Sequence, residues 1–470
     1  MTDGSTAGAV RVSIGAARAT TGSTVPAAGH RCTRRWLVHG TCALGAAGIP
    51  GILAGCGQEG SIEPAKAGPA AGSLTWMYSA NPQTSGFDKI EEAFKQKYPN
   101  VRLETLYTSS NYDDKLLASY SAGTQPDVLR LNDDYVLGYK TKNLIAPLDR
   151  YVRSSGIKRD DYFAAVYDFP MQDGKHYSWF LGANPRLIFY NVDLFGKEGV
   201  KLPPAKWESR GWTFDDFLDT ARKLTKVNPS TGQGVYGASV FDDTGNEQTF
   251  SINSGSPTGI YSKDGRKFTL ADPPGYEAMQ WIADLTNKHR VQPARQLASE
   301  LKGADDMFIN QQLAMWFSST GTILRLRRDA QFAFDVTPVP MRAKRLTESS
   351  IQTYALAVGA KNPDNAWRLL SFFTEQEVAR IFIDNGYVIP AKKTFVRDYV
   401  AANKGKHPAN MELIVDSFNY QTQPNQTLDT QAARRIYRGK NLEGIWDGAV
   451  TAKEGLQRVR PAVEEAISPK

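Results

Sequence analysis

Residues 74–131, LTWMYSANPQTSGFDKIEEAFKQKYPNVRLETLYTSSNYDDKLLASYSAGTQPDVLRL, alternate short apolar runs with stretches of helical periodicity. Three apolar runs are short enough to be strands: residues 74–78, 101–106 and 127–131. Two stretches between them have helical spacing: residues 87–94 and 112–120. Strands that alternate with helices predict an open α/β sheet, in which ligands bind beyond the carboxyl ends of the strands.

Farther along the chain, helix-start signals support the same fold class. Capping pairs of Thr and an acid three residues later occur at three predicted helix starts: Thr213 with Asp216, Thr374 with Glu377, and Thr451 with Glu454. Asn362 followed by Pro363 predicts a fourth helix start. Residues 187–190 are apolar and predict a further strand. The chain is therefore predicted to be α/β throughout.

The amino-terminal segment TRRWLVHGTCALGAAGIPGILAGCGQ, residues 33–58, has the layout of an export signal. Residues 33–38 resemble a twin-arginine signal, and LAGC at residues 53–56 resembles a lipobox. We therefore expect residues 1–55 to be a removed leader, Cys56 to be lipidated, and residues 56–72 to be a flexible linker. An uncleaved signal anchor is the alternative, although glycines and a proline in the apolar run disfavour it.

Charge and cysteine content exclude several classes of function. Residues 1–55 carry five of the 56 Lys and Arg and one of the 49 Asp and Glu, so their removal lowers the net charge from +7 to +3. That charge predicts no nucleic-acid partner. All three cysteines lie at or before Cys56, so no disulfide or thiol site is expected beyond it.

Motifs for catalysis are scarce. No phosphate-binding loop, His-Glu-x-x-His or Gly-x-Ser-x-Gly motif occurs. The acid pairs at residues 215–216 and 305–306 are predicted to lie at helix starts, where carboxylates favour the helix dipole. Asp133 and Asp134 instead follow a predicted strand, which places them at the carboxyl edge of the sheet.

An ordered series of motifs resembles one protein family. The motifs are GTQPDV (123–128), NLIAPLD (143–149), RLIFYN (186–191), MFINQQLAM (307–315), AWRLL (366–370) and GYVIP (386–390). Together they resemble the carbohydrate-type extracellular solute-binding proteins of ABC importers, which are similar to maltose-binding proteins. The resemblance covers about residues 73–465.

The resemblance implies a periplasmic-binding-protein fold, type II-like, with two α/β lobes, a hinge of crossing segments and a ligand cleft between the lobes. The implied amino-terminal lobe is residues 73–182 plus 339–390. The implied carboxy-terminal lobe is residues 183–338 plus 391–470.

The function implied is capture of a sugar or short oligosaccharide by hinge closure and its delivery to the permease, with no catalysis, cofactor or metal. The implied partners are the solute, the permease subunits and the membrane through Cys56, and the protein is expected to be an extracytoplasmic monomer. Two alternatives remain open: a binding protein for a non-sugar solute such as a polyamine or phosphodiester, and a secreted glycan-degrading enzyme that uses Asp133 or Asp134.

Position by position, the resemblance implies eleven ligand-binding residues. Polar candidates are Asn81, Asp133, Asp134, Asn184, Asp242, Ser319 and Thr320, and stacking candidates are Trp179, Phe241, Trp316 and Tyr387. Asn184 stands where the family often has an acid, which leaves the identity of the solute open. Two roles remain open for Arg186: it binds an acidic sugar, or it lies on the protein surface.

Overall fold

The computed structural model describes residues 69–228, 230–241 and 245–469. The predicted signal at residues 1–55, the lipidation site Cys56 and most of the linker at residues 56–72 lie outside the described residues. Within the described ranges, no helix has both the length and the apolar character that crossing a bilayer requires.

Strands in the described residues form one large sheet and two small hairpins. They are β1 (Gly72–Tyr78), β2 (Val101–Tyr107), β3 (Val128–Asn132), β4 (Met171–Gln172), β5 (Lys175–His176), β6 (Trp179–Asn191), β7 (Lys226–Val227), β8 (Gly234–Val235), β9 (Met315–Ser319), β10 (Phe334–Thr337), β11 (Ser349–Leu356) and β12 (Ile389–Pro390).

Helices cover most of the remaining described chain. They are α1 (Pro82–Ser85), α2 (Phe87–Lys97), α3 (Tyr112–Ser121), α4 (Val136–Thr141), α5 (Asp149–Ser154), α6 (Ala164–Tyr167), α7 (Val192–Lys197), α8 (Phe214–Leu224), α9 (Asn246–Ser254), α10 (Pro273–Asn287), α11 (Arg295–Glu300), α12 (Ala304–Ile309), α13 (Ile323–Asp329), α14 (Pro363–Phe372), α15 (Gln376–Asn385), α16 (Lys393–Asn403), α17 (Met411–Asp416), α18 (Thr430–Tyr437), α19 (Lys440–Trp446) and α20 (Ala452–Ile467). Short 3-10 turns lie at Asp133–Tyr135, Arg159–Asp161, Thr269–Ala271, Thr320–Thr322 and Ser417–Asn419.

The long strand β6 belongs to two half-sheets. Its first half pairs with β11 and β12, and β11 continues through β3 and β1 to the edge strand β2. We call these strands the first half-sheet. The second half of β6 pairs with β9 on one side and β10 on the other, and these form the second half-sheet. All 13 residues of β6 are buried, and most are apolar, as expected for a strand covered on both faces; Asn184, Arg186 and Asn191 are the buried polar exceptions.

Most of the local predictions are confirmed. The three opening strands are β1, β2 and β3, and complete capping boxes start α8 at Thr213 and α20 at Thr451. The capping role predicted for Thr374 is wrong. Its hydroxyl donates to the carbonyl of Ser371 at 3.0 Å, and α15 begins two residues later.

The chain returns to the first half-sheet after β10. Residues 338–341 lie beside Trp212, whose indole N–H donates to the Pro338 carbonyl at 2.8 Å, and β11 then pairs with β6 from Ser349 onward. The lobe bounds, residues 73–182 with 339–390 and residues 183–338 with 391–470, stay a prediction.

We predict that Gly182→Ala destabilises the protein. A Cβ at this position would lie 2.2 Å from the carbonyl oxygen of Ile389, so β12 would have to move away from β6. We expect a loss of about 1–3 kcal/mol, as for other overpacked sites, measured by urea unfolding. Gly196→Ala is the matched control, because nothing lies within 4 Å of its added Cβ. Equal stability of the two variants would contradict the close approach of β12.

Candidate functional site

The carboxyl ends of both half-sheets meet at residues 184–186 of β6. Ser350 of β11 pairs with Asn184, and Gln352, two residues later in β11, pairs with Asn132 at the end of β3. Ser319, the last residue of β9, pairs with Arg186. Because binding sites in α/β proteins form beyond the carboxyl ends of strands, this junction is the expected place for a ligand.

A cavity of about 750 Å³ lies at the carboxyl end of the second half-sheet. Trp316 of β9 and Phe241 line it, together with Trp446 of α19. The Phe241 ring stands edge-on to Trp446, with centroids 5.5 Å apart. Ser239, Ser318 and Asn246 add polar groups to the same wall. The cavity therefore combines aromatic faces with hydrogen-bonding groups.

Charged side chains also line this cavity. The guanidinium of Arg438 forms a two-point contact with Glu247: its Nε lies 2.9 Å from one carboxylate oxygen, and a terminal nitrogen donates to the other at 3.1 Å. Arg295 lies 6.0 Å from the centre of the Phe241 ring. Lys302 adopts a left-handed conformation with φ of 66°, which is unusual for a long side chain. Arg295 and Lys302 thus line the cavity together with the paired Glu247 and two further acids, Asp305 and Glu443.

The two acids after β3 have different surroundings. Asp133 is partly buried; its carboxylate accepts the backbone N–H of Ile351 at 2.9 Å and that of Asp134 at 3.1 Å. Burial and the neighbouring Asp134 raise the pKa of Asp133 to about 7, although the Ile351 N–H, Arg434 and Arg186 act in the opposite direction. Asp134 is buried and forms an ion pair with Arg434 of α18.

Four predicted residues come together at the crossing of β6: Asn184, Ser319, Thr320 and Tyr387. The amide of Asn184 donates to the backbone carbonyl of Tyr387 at 2.9 Å, and the hydroxyl of Thr320 lies 3.5 Å from the Asn184 side-chain oxygen. Ser319 precedes Thr320 and is partly exposed. The phenol of Tyr387 donates to Gln352 at 3.4 Å. These side chains already contact protein groups, so Asn184 ties the segment at Tyr387 to the end of β9.

Other predicted residues lie elsewhere. Asn81 caps α1, where its side chain accepts the backbone N–H groups of Gln83 and Thr84. Trp179 is completely buried against Phe180, so protein covers its faces in this conformation. Asp242 lies outside the described residues. Phe241 and Trp316 line the cavity, as described above.

Arg186, for which the sequence left two roles open, is buried in an ion pair with Glu348, so the surface role is wrong. Several other residues of this region were not singled out from the sequence. Glu247, Arg438 and Trp446 reach the cavity from helices that carry no family motif. The spacing of four residues between Arg434 and Arg438 was the one available signal, because it places both on one helix face.

Residues 80–380 match the family described as bacterial extracellular solute-binding protein. The chain belongs to this family. In the described ranges of this solute-binding protein, no three His, Cys, Asp or Glu side chains group in a way that could hold a metal ion.

Several known proteins align with most of this solute-binding protein. A binding protein of Brucella abortus is 23% identical over 402 residues, which cover 83% of this chain and 93% of that protein. The ABC substrate-binding protein Lmo0181 of Listeria monocytogenes, solved with cycloalternan, has 23% identity and a TM-score of 0.73 and covers 85% and 99% of the two chains. Mycobacterium tuberculosis UgpB, solved with glycerophosphocholine, has 18% identity and a TM-score of 0.68 over 84% and 98%. The structural likeness confirms the predicted two-lobed α/β fold.

We predict that Asp133 makes stability depend on pH. Its pKa is about 7 in the folded protein, against about 4 in an unfolded chain, so folding favours the protonated form. The stabilisation is complete below about pH 4 and is lost as the pH rises through 7. Asp133→Asn keeps an acceptor for the Ile351 N–H and removes the titration. We expect this variant to lose part of the fall in unfolding free energy between pH 5 and pH 8, measured by urea titration.

The exposed Asp398 supplies the control for this measurement. Asp398→Asn should leave the pH dependence as it is in the parent protein. A parent-like pH profile in Asp133→Asn would show that the Asp133 carboxyl does not titrate in this range.

Proposed function

We propose that this protein is a lipid-anchored, extracytoplasmic receptor of an ABC importer that captures a sugar or short oligosaccharide. The observation that carries the proposal is the cavity of about 750 Å³ with aromatic and polar walls at the carboxyl end of the second half-sheet. Its volume lies within the range of about 300–1,000 Å³ typical of small-molecule sites.

The chemistry of the wall suits a carbohydrate. The apolar face of a sugar ring packs on aromatic side chains, and Phe241 and Trp316 supply such surfaces. Sugar hydroxyls need groups that donate and accept hydrogen bonds, and Ser239, Ser318 and Asn246 provide both. The Lmo0181 structure, solved with cycloalternan, is consistent with an oligosaccharide ligand.

Closure of the lobes completes the site in this proposal. The amino-terminal lobe contributes the region of Asp133 and Tyr387 at the carboxyl edge of the first half-sheet, where Tyr387 accepts a hydrogen bond from Asn184 of the crossing strand. Only a closed form contacts the solute from both sides, so binding favours closure. The permease then receives the solute from the closed form.

A phosphodiester is the second candidate solute. Arg295 and Lys302 line the cavity, and both can pair with a phosphate. The relative UgpB of Mycobacterium tuberculosis was solved with glycerophosphocholine. Catalysis by the acid pair has less support, because Asp134 is paired with Arg434 and Asp133 accepts the Ile351 N–H. We therefore assign neither carboxylate a catalytic role.

We predict that a neutral oligosaccharide raises the melting temperature of the purified protein and changes its tryptophan fluorescence. Trp316 and Trp446 line the cavity and report occupancy, and a ligand at a hundredfold of its Kd adds about 2.7 kcal/mol. The panel contains maltotriose, mannotriose, monosaccharides and glycerophosphocholine. Phe241→Ala should weaken binding about tenfold, the loss expected from removing one stacking ring.

Tyr276→Ala is the matched control, because Tyr276 is a partly buried aromatic of α10 outside the cavity. The double variant Arg295→Gln and Lys302→Gln separates the two candidate solutes, since it should weaken glycerophosphocholine and spare neutral sugars. A response to glycerophosphocholine alone would reject the sugar assignment.

We predict that Cys56→Ala abolishes lipid attachment to the protein in an expressing bacterium. The sequence LAGC at residues 53–56 motivates the lipid anchor, and each buried CH₂ of a lipid adds about 0.8 kcal/mol of membrane affinity. The parent protein should require detergent for extraction, and mass spectrometry should find its mature chain beginning at a lipidated Cys56. A parent chain that keeps residues 1–55 and has no lipid on Cys56 would favour the uncleaved signal anchor.

A further inference from the structure

Helix α18 and its carboxyl-terminal cap present two arginines, Arg434 and Arg438, to different parts of the molecule. Arg434 pairs with Asp134, in the turn after β3 of the first half-sheet. Arg438, at the carboxyl-terminal cap of the helix, pairs with Glu247 in the cavity wall. Residues four apart lie on one helix face, so a single rigid element contacts both acids.

Both acids depend on these arginines. The Asp134 and Glu247 side chains are only 4% and 3% exposed. A buried carboxylate that loses its partner is strongly unfavourable, because water no longer solvates the charge. The positions of the two carboxylates are therefore tied to the position of α18.

The start of α18 is also bound by neutral hydrogen bonds to the segments that follow the first half-sheet. The hydroxyl of Thr430 donates to the carbonyl of Asp134 at 3.0 Å. Just before the helix, Gln426 accepts the backbone N–H of Leu137 at 2.8 Å and donates to the carbonyl of Phe169 at 3.1 Å. The helix body packs on α20, which in turn packs on α10, and α10 packs on α9, where Glu247 lies. The helix thus has one end on each side of the junction.

We propose that Arg434 and Arg438 are positioning residues of the solute site, and that α18 couples the cavity to the acidic turn of the first lobe. A solute that binds to Glu247 or Arg438 alters their ion pair and thereby shifts the position of α18. Through Arg434, this shift changes the contact with Asp134. The inference rests on the proposed function, because it takes the cavity as the solute site.

Hydrogen–deuterium exchange of the full chain without any solute tests this coupling. Arg438→Gln breaks the ion pair at the cavity. We expect it to speed exchange about fivefold or more in residues 128–139, which it does not touch, as coupled sites commonly show. By the same reciprocity, Asp134→Asn should speed exchange in residues 245–254. Acceleration confined to the mutated side in both variants would overturn the proposal.

Three further variants separate coupling from general loosening. Arg435→Gln removes an exposed charge from the same helix and should leave residues 128–139 unchanged. Ile436→Ala weakens the packing of α18 and keeps both ion pairs, so its effect should stay within the helix. If Arg438→Gln does not fold, the double variant Glu247→Gln and Arg438→Gln removes both charges of the pair and should still speed exchange in residues 128–139. If Ile436→Ala and Arg438→Gln speed exchange in residues 128–139 equally, α18 acts only as a structural support and the coupling through its arginines is rejected.

Because no solute is added, the result is independent of the ligand panel. If no solute of the panel gives a response but Arg438→Gln speeds hydrogen–deuterium exchange in residues 128–139, the proposed function is rejected and the physical coupling is kept. If a sugar raises the melting temperature but exchange is faster only on the mutated side, the proposed function is supported and the coupling is rejected.

Discussion

The backbone pairing of β6 is the constraint on which the rest of the structure depends. Each half of this strand has a neighbour on both sides, β11 and β12 in the first half and β9 and β10 in the second. A buried backbone must have its N–H and C=O groups paired. The strand meets this requirement only by belonging to two half-sheets. As a result, the carboxyl ends of the two half-sheets meet at Asn184 and Arg186.

Burial of charge imposes the second constraint around this junction. Three ion pairs are largely removed from water: Arg186 with Glu348, Arg434 with Asp134, and Arg438 with Glu247. Such pairs add little net stability, but each is costly to break, so they favour one arrangement over its alternatives. Gly245 fits this arrangement, since a Cβ there would lie 2.3 Å from the side chain of Arg186. The charged groups thus specify how α9, α18 and the crossing segments meet.

Local signals were sufficient for most of the secondary structure. Apolar runs, capping boxes and helical spacing are properties of neighbouring residues, and they located β1, β2, β3, α8 and α20. Helix α9 shows a case that such local signals do not predict. Its sequence NEQTFSINS has no apolar stripe, yet eight of its nine residues are buried. Distant partners make this burial possible: Gln248 donates to Thr422 and Gln423, and Asn253 donates to the carbonyl of Pro340.

The sequence by itself determined the α/β class and the family, because ordered motifs and periodic patterns are local features of the chain. It named Phe241 and Trp316 only as candidates, and the structure places both in the cavity wall. Only the tertiary structure decided which polar residues have partners. It placed Asn81 in a helix cap and Trp179 in the core, and it paired Asp134 with an arginine 300 residues later. Ion pairs and cavity walls are made by segments far apart in sequence, so their geometry exists only once β6 has joined the two half-sheets.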